Sequence, residues 1–107
     1  MSVSNNNYIA SLLGLAQRAG KLSSGTVAVL KAIDKNRAKL VIIANDISDN
    51  SIQKIINKCK NKRIPMIKFV EKETLGHYIG KGLRAVISIN DQNFATTILK
   101  KWEGEIL

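Results

Sequence analysis

The stretch SSGTVAVLKAI, Ser23 to Ile33, sets two hydroxyl residues and a glycine ahead of an apolar run and places Lys31 six positions after Gly25. Free backbone amides and the positive end of the helix dipole favour an anion at a helix N-terminus, and a glycine lets the backbone approach it closely. Lys31 falls about one and two-thirds helical turns beyond Gly25, roughly 240° around the axis, so only a long side chain reaches back to the same ligand. Whether Gly25, Thr26 and Lys31 mark a place where something negatively charged binds is a question these residues raise and do not settle by themselves. A capped helix with no ligand is the bland alternative.

Other motifs carry less. GKGLRA, Gly80 to Ala85, has the G-x-G-x-x-A form of a dinucleotide fingerprint, but that loop must follow a strand and open a helix, and here the spacing predicts that it precedes a strand. GHYIGKG contains a Gly-Lys pair, yet three residues separate Gly76 from Gly80 and Gly82 stands where a magnesium-binding hydroxyl belongs. His77 is the only histidine and Cys59 the only cysteine, which excludes an internal disulfide, a zinc cluster and a local Cys-His pair. Asn45 and Asp46 follow a predicted strand, where α/β proteins often carry chemistry. With no partner acid, base or metal set in view, turn and capping chemistry is the more economical role for them. No enzyme activity, cofactor or metal is expected.

The elements that must position these residues follow from periodicity. Ile9, Leu12, Leu13 and Ala16 predict an amphipathic helix from Tyr8 to Ala19, ending near Gly20. KLSSG suits a short strand, after which Ser24 is a candidate cap for a helix running to about Lys35. Leu40 to Ala44 form a continuous β-rich apolar run, the mark of a strand covered on both faces. Ser48 or Asp49 is expected to cap a third helix that buries Ile52, Ile55, Ile56 and Cys59 and turns Lys54, Lys58, Lys60 and Lys62 outward. Pro65 leads into the strand MIKFV, a short helix spans Thr74 to Ile79, RAVISI forms a further strand, and Asp91 caps a last helix with Phe94, Ile98, Leu99 and Trp102 on its apolar face. The alternation predicts an α/β fold, a three-layer α/β/α sandwich, as one domain over residues 1–107, with fraying near 1–6 and 103–107.

Composition bounds the partner. Seventeen Lys and Arg against eight Asp and Glu give a net charge of +9 on 107 residues. Such an excess on a small domain points to a polyanion, nucleic acid or an anionic membrane surface, with a basic, merely soluble surface as the bland alternative. No run approaches the roughly 18 apolar residues of a membrane span, and no helix pairs a strongly apolar face with bulky interfacial anchors. A cytoplasmic protein without a membrane partner is the expectation.

The ordered set GLAQRAGKLSSG, GTVAVLKAI, AKLVIIANDIS, a basic helix, IPMIKFV and TLGHYIGKG resembles the kink-turn RNA-binding ribosomal-protein superfamily, which includes archaeal L7Ae and bacterial YlxQ-type members. The similarity spans roughly Tyr8 to Leu99. It implies a four-stranded mixed sheet and a protein that docks structured RNA, of kink-turn or ribosomal type, with the ribosome as a candidate setting; a monomer is the expectation. The segment matching Gly25 to Lys31 reads Gly-x-Asn-Glu-x-x-Lys in that superfamily and enters a widened RNA groove. Gly25 and Lys31 keep the pattern, whereas Val27 and Ala28 occupy the base-reading positions with side chains that make no hydrogen bond to a base edge. By the same resemblance Ile52 matches an apolar position that packs a flipped-out base, the loop from Gly80 to Arg84 matches a variable loop that closes over it, and Lys72 is a nearby basic position; the clustering of Lys81 and Arg84 with glycines favours phosphate contact there. Core packing is the competing role for Ile52, and a solvated loop for Lys81 and Arg84. An adaptor for another protein, using Val27 and Ala28 as an apolar patch, is the rival to RNA docking.

Overall fold

The computed structural model describes residues 2–107 and contains five helices and four strands: α1 (Ser2–Arg18), β1 (Leu22–Ser24), α2 (Thr26–Asp34), β2 (Leu40–Ile43), α3 (Asp49–Lys62), β3 (Met66–Lys68), α4 (Lys72–Tyr78), β4 (Val86–Ile89) and α5 (Gln92–Lys101). The strands form one sheet in the order β1-β4-β2-β3. β4 runs antiparallel to both β1 and β2, while β2 and β3 are parallel, so the sheet is mixed. β2 and β4 are central and buried at all four positions, the burial pattern expected of strands covered on both faces.

Alternate strand residues divide the core in two. Leu40, Ile42, Ile67, Ile87 and Ile89 face Ile9, Leu13, Leu75 and Ile98 of α1, α4 and α5. Val41, Ile43, Met66 and Val86 face Val29, Ile33, Ile55 and Cys59 of α2 and α3. Period-two alternation on two-sided strands therefore produces the three layers anticipated from sequence. Burial raises the Cys59 thiol to about 11, so it serves as an apolar core residue rather than a nucleophile.

Three local expectations need correction. α1 starts at Ser2 and not at Tyr8, because the polar Ser and Asn residues of the first turns carry no apolar period to reveal them; Met1 lies outside the described residues. The residue capping α2 is Gly25, not Ser24. The segment after Glu103 is held and not frayed: the Leu107 amide donates to the Met66 carbonyl at 2.7 Å, along the edge strand β3. Trp102 starts this return by packing edge-on against Phe69, 5.8 Å between ring centroids, while its indole N–H donates to the Glu105 carbonyl at 2.9 Å. Asp91 caps α5 as expected, its carboxylate accepting from the Phe94 amide at 3.0 Å.

Candidate functional site

The two serines of the SSG turn act as ties and not as caps. Buried Ser88 donates to the Asn90 side-chain oxygen, and the Asn90 amide donates to Ser23 Oγ, both at 2.9 Å, which locks β1 beside β4. Ser24 Oγ accepts from Arg84 Nε at 3.2 Å, and Arg84 Nη1 donates to the Leu83 carbonyl at 2.9 Å. The guanidinium is thus held against the end of β1 with other donors still to offer.

Gly25 follows with φ 91° and ψ 155°, a region that essentially only glycine enters without strain. A Cβ there would meet nothing within 4 Å, so the requirement is conformational and the space in front of it is open. The Gly25 amide donates to the Val86 carbonyl at 2.9 Å, and its carbonyl accepts from Val29 at 3.0 Å. The Gly25 amide is therefore committed to the sheet. The amides that start α2 belong to Thr26, Val27 and Ala28; they have no partner among the described residues, and no side chain caps them.

Opposite this helix start stands the loop between α4 and β4, whose place before a strand also rules out the dinucleotide fingerprint. Gly76 of α4 holds it: a Cβ at Gly76 would collide with the Gly82 carbonyl, so α4 and the loop touch backbone to backbone. The Arg84 amide donates to the Lys72 carbonyl at 3.1 Å, fixing the loop's other end. Between the loop and α2 lies a groove of about 630 Å³ lined by Ser24, Gly25, Thr26, Val27, Ala28 and Lys31 on one wall and Leu83, Arg84 and Ala85 on the other. Val27 is 80% exposed and Leu83 60%, forming two apolar lips.

Of the residues singled out from sequence, Gly25, Thr26, Val27, Ala28, Lys31 and Arg84 share this groove. Lys81 lies outside it, in an adjoining depression that also contains Leu83. Ile52 is half-buried against the α2–α3 core and does not line the groove. Lys72 is half-buried as the first residue of α4 and meets the groove only through its backbone: its amide donates to Asp46 Oδ1 at 2.8 Å, and its carbonyl anchors Arg84. Asn45 and Asp46 do cap and tie, since Asn45 Nδ2 also donates to Glu71 Oε1 at 3.3 Å. Sequence reasoning missed Ser24 as an anchor, Leu83 as a lip and Gly76 as the loop's seat. A leucine stranded among Gly and Lys in GKGLR was the available signal for Leu83; nothing local marked the Gly76 contact, which joins two segments across the fold.

Residues 7–99 match the ribosomal protein L7Ae/L30e/S12e/Gadd45 family. The chain is 42% identical over 88 residues to the RNA-binding protein YlxQ of Bacillus subtilis, covering 82% of this chain and 88% of that one. It is 33% identical over 81 residues to the large ribosomal subunit protein eL8 of Thermoplasma volcanium, covering 75% and 67%. The Giardia lamblia 15.5kD RNA binding protein superposes with a TM-score of 0.78 at 20% identity over 92% of this chain and 84% of that one, a likeness of fold. With the three-layer sandwich, the mixed sheet and the order of motifs all in agreement, the chain belongs to the ribosomal protein L7Ae/L30e/S12e/Gadd45 family and is of the YlxQ type.

Proposed function

We propose that this chain is a non-enzymatic, monomeric RNA-binding protein of the cytoplasm that docks a structured RNA, kink-turn-like or ribosomal, in the groove between the start of α2 and the loop before β4. The observation that carries this reading is the convergence, in one groove, of three unpartnered helix-start amides with Lys31 and Arg84 on a chain of net charge +9. Amides and the helix dipole suit phosphate oxygens, and the two cations add the salt-dependent part of the affinity. The printed names of the relatives, RNA-binding protein YlxQ and large ribosomal subunit protein eL8, support the same partner class. Val27 and Ala28 offer no hydrogen bond to a base edge, so recognition rests on RNA shape and on apolar contact with unstacked bases.

The test is a binding titration of a kink-turn RNA and a matched plain duplex across a series of salt concentrations. Affinity is expected to fall with a log-log slope of about −0.7 to −0.9 per neutralised phosphate. A flat salt dependence removes the reading. The adaptor alternative rests on one specific observation, the exposed Val27 and Leu83 lips. Salt-insensitive capture of a protein partner with no RNA affinity would favour it.

A further inference from the structure

We infer that the RNA site does not end at the α2 groove but continues as a trough that takes a single strand extending from the docked element; this rests on the RNA-binding reading above. Leu83, the outer lip of that groove, is also the wall of the next depression, which holds Lys81 and His77. His77 is in turn the wall of a third, running along the seam of α1 and α4 past Gly14 and Arg18. The three depressions therefore adjoin in a row, the first and second across Leu83 and the second and third across His77.

The side chains along it suit a strand and not a duplex. Lys31, Arg84, Lys81 and Arg18 supply four cations, against the single carboxylate of Glu73. His77 is exposed and lies between the cations, its ring 6.5 Å from that of Tyr78 and inclined by 50°. Tyr78 itself is held by Phe69, 6.2 Å away, so His77 is the ring that remains open to a base. A cationic groove that follows the backbone, with an aromatic face on which an unpaired base stacks, is the general solution for binding a single strand without reading its sequence. The seat of Gly82 on Gly76 fixes the bridge between the first and second depressions.

The test uses one kink-turn RNA in three forms: blunt, with a short oligoadenylate extension at its 5′ end, and with the same extension at its 3′ end. One extended form is expected to bind about 5- to 100-fold tighter than the blunt form, the worth of one or so stacked bases. His77→Ala should remove most of that gain, and Arg18→Ala should lower the salt slope by about one unit, on the extended RNA only. Both variants should bind the blunt RNA as the wild type does and melt at the same temperature, while Lys31→Ala weakens all three RNAs. Equal binding of the three forms by the wild type, or equal losses on blunt and extended RNA in both variants, overturns the trough and leaves the groove standing. Failure to bind any of the three overturns both readings.

Discussion

The two ends of helix α2 are finished in opposite ways. At its C-terminus Asp34 and Asn36 are tied to α3: Lys58 donates to Asp34 Oδ1 at 2.7 Å, and Lys62 donates to the Asp34 carbonyl at 3.2 Å and to Asn36 Oδ1 at 2.9 Å. Asn36 itself takes the left-handed conformation that ends the helix, φ 60°. At its N-terminus no side chain caps the helix, and the amides of Thr26, Val27 and Ala28 lack partners among the described residues. A Ser, Thr or Asp cap is worth only about a few tenths of a kcal/mol over glycine, and at φ 91° it would be strained, so this end stays uncapped. The lesson is one of location: this helix satisfies itself where it meets α3 and leaves its donors open where it meets the groove.

Changes to the open end should have the largest effects. Gly76→Ala puts a methyl group into the Gly82 carbonyl, so the loop must move. A stability loss of about 1–3 kcal/mol, typical of overpacking, is expected in denaturant melts, together with weaker binding of every RNA. Gly25→Ala forces alanine to φ 91° at a cost of about 1–3 kcal/mol, again with weakened binding. The matching change at the closed end, Asn36→Gly, should cost little, because glycine accepts φ 60° freely and that gain offsets the exposed hydrogen bond from Lys62 that it removes. Equal destabilisation by Gly25→Ala and Asn36→Gly would break the comparison.

The next effect sharpens what the open end recognises. Replacing Val27 by Asn together with Ala28 by Glu adds hydrogen-bonding side chains at the groove and should raise the preference for a kink-turn over a duplex by about 1–3 kcal/mol, read from competition binding. A wild type that already discriminates strongly, with nothing added by the double change, would show that the apolar lips suffice.

Smaller again is the contrast between two lysines. Lys31→Ala should lower the salt slope of RNA binding by about one unit with the thermal melt unchanged, since Lys31 is exposed and has no ion-pair partner among the described residues. Lys58→Ala should do the reverse: a slight loss of stability and little change in RNA affinity. The hydrogen bond from Lys58 holds the Asp34 carboxyl below its ordinary 3.8. A depressed acid stabilises the fold above its unfolded value and loses that contribution as pH falls through its folded value. The stability difference between wild type and Lys58→Ala should therefore be present near neutrality and vanish in acid. A difference that persists at pH 2 would mean that Lys58 acts through packing of its stem and not through Asp34.

Much of the fold was legible because its signals are local. Four consecutive apolar residues in LVII read as a two-sided strand wherever they occur, and Ile52, Ile55, Ile56 and Cys59 draw a helical stripe without reference to the rest of the chain. The start of α1 was not legible, since its polar Ser and Asn residues leave no apolar period. Nor was the held C-terminal segment, whose Leu107 amide finds its acceptor in β3, far back in the chain. Within the site, Gly25, Thr26 and Lys31 were visible as a pattern on one segment, and so was the lack of base-reading side chains at Val27 and Ala28.

By itself, the sequence determined the layers, the basic charge and the glycine-led start of α2, because periodicity, composition and backbone preference are properties of neighbouring residues. Only the tertiary structure decided which groups face one another: that Ser24 holds Arg84, that Gly76 seats Gly82, that the Gly25 amide is spent on Val86 while the next three stay open, and that Ile52 and Lys72 stand outside the groove. The reason is physical. A hydrogen bond or a close backbone contact between segments some sixty positions apart, as between Ser24 and Arg84, depends on the order of the strands in the sheet, where β4 lies between β1 and β2, and no local pattern in the sequence encodes that order.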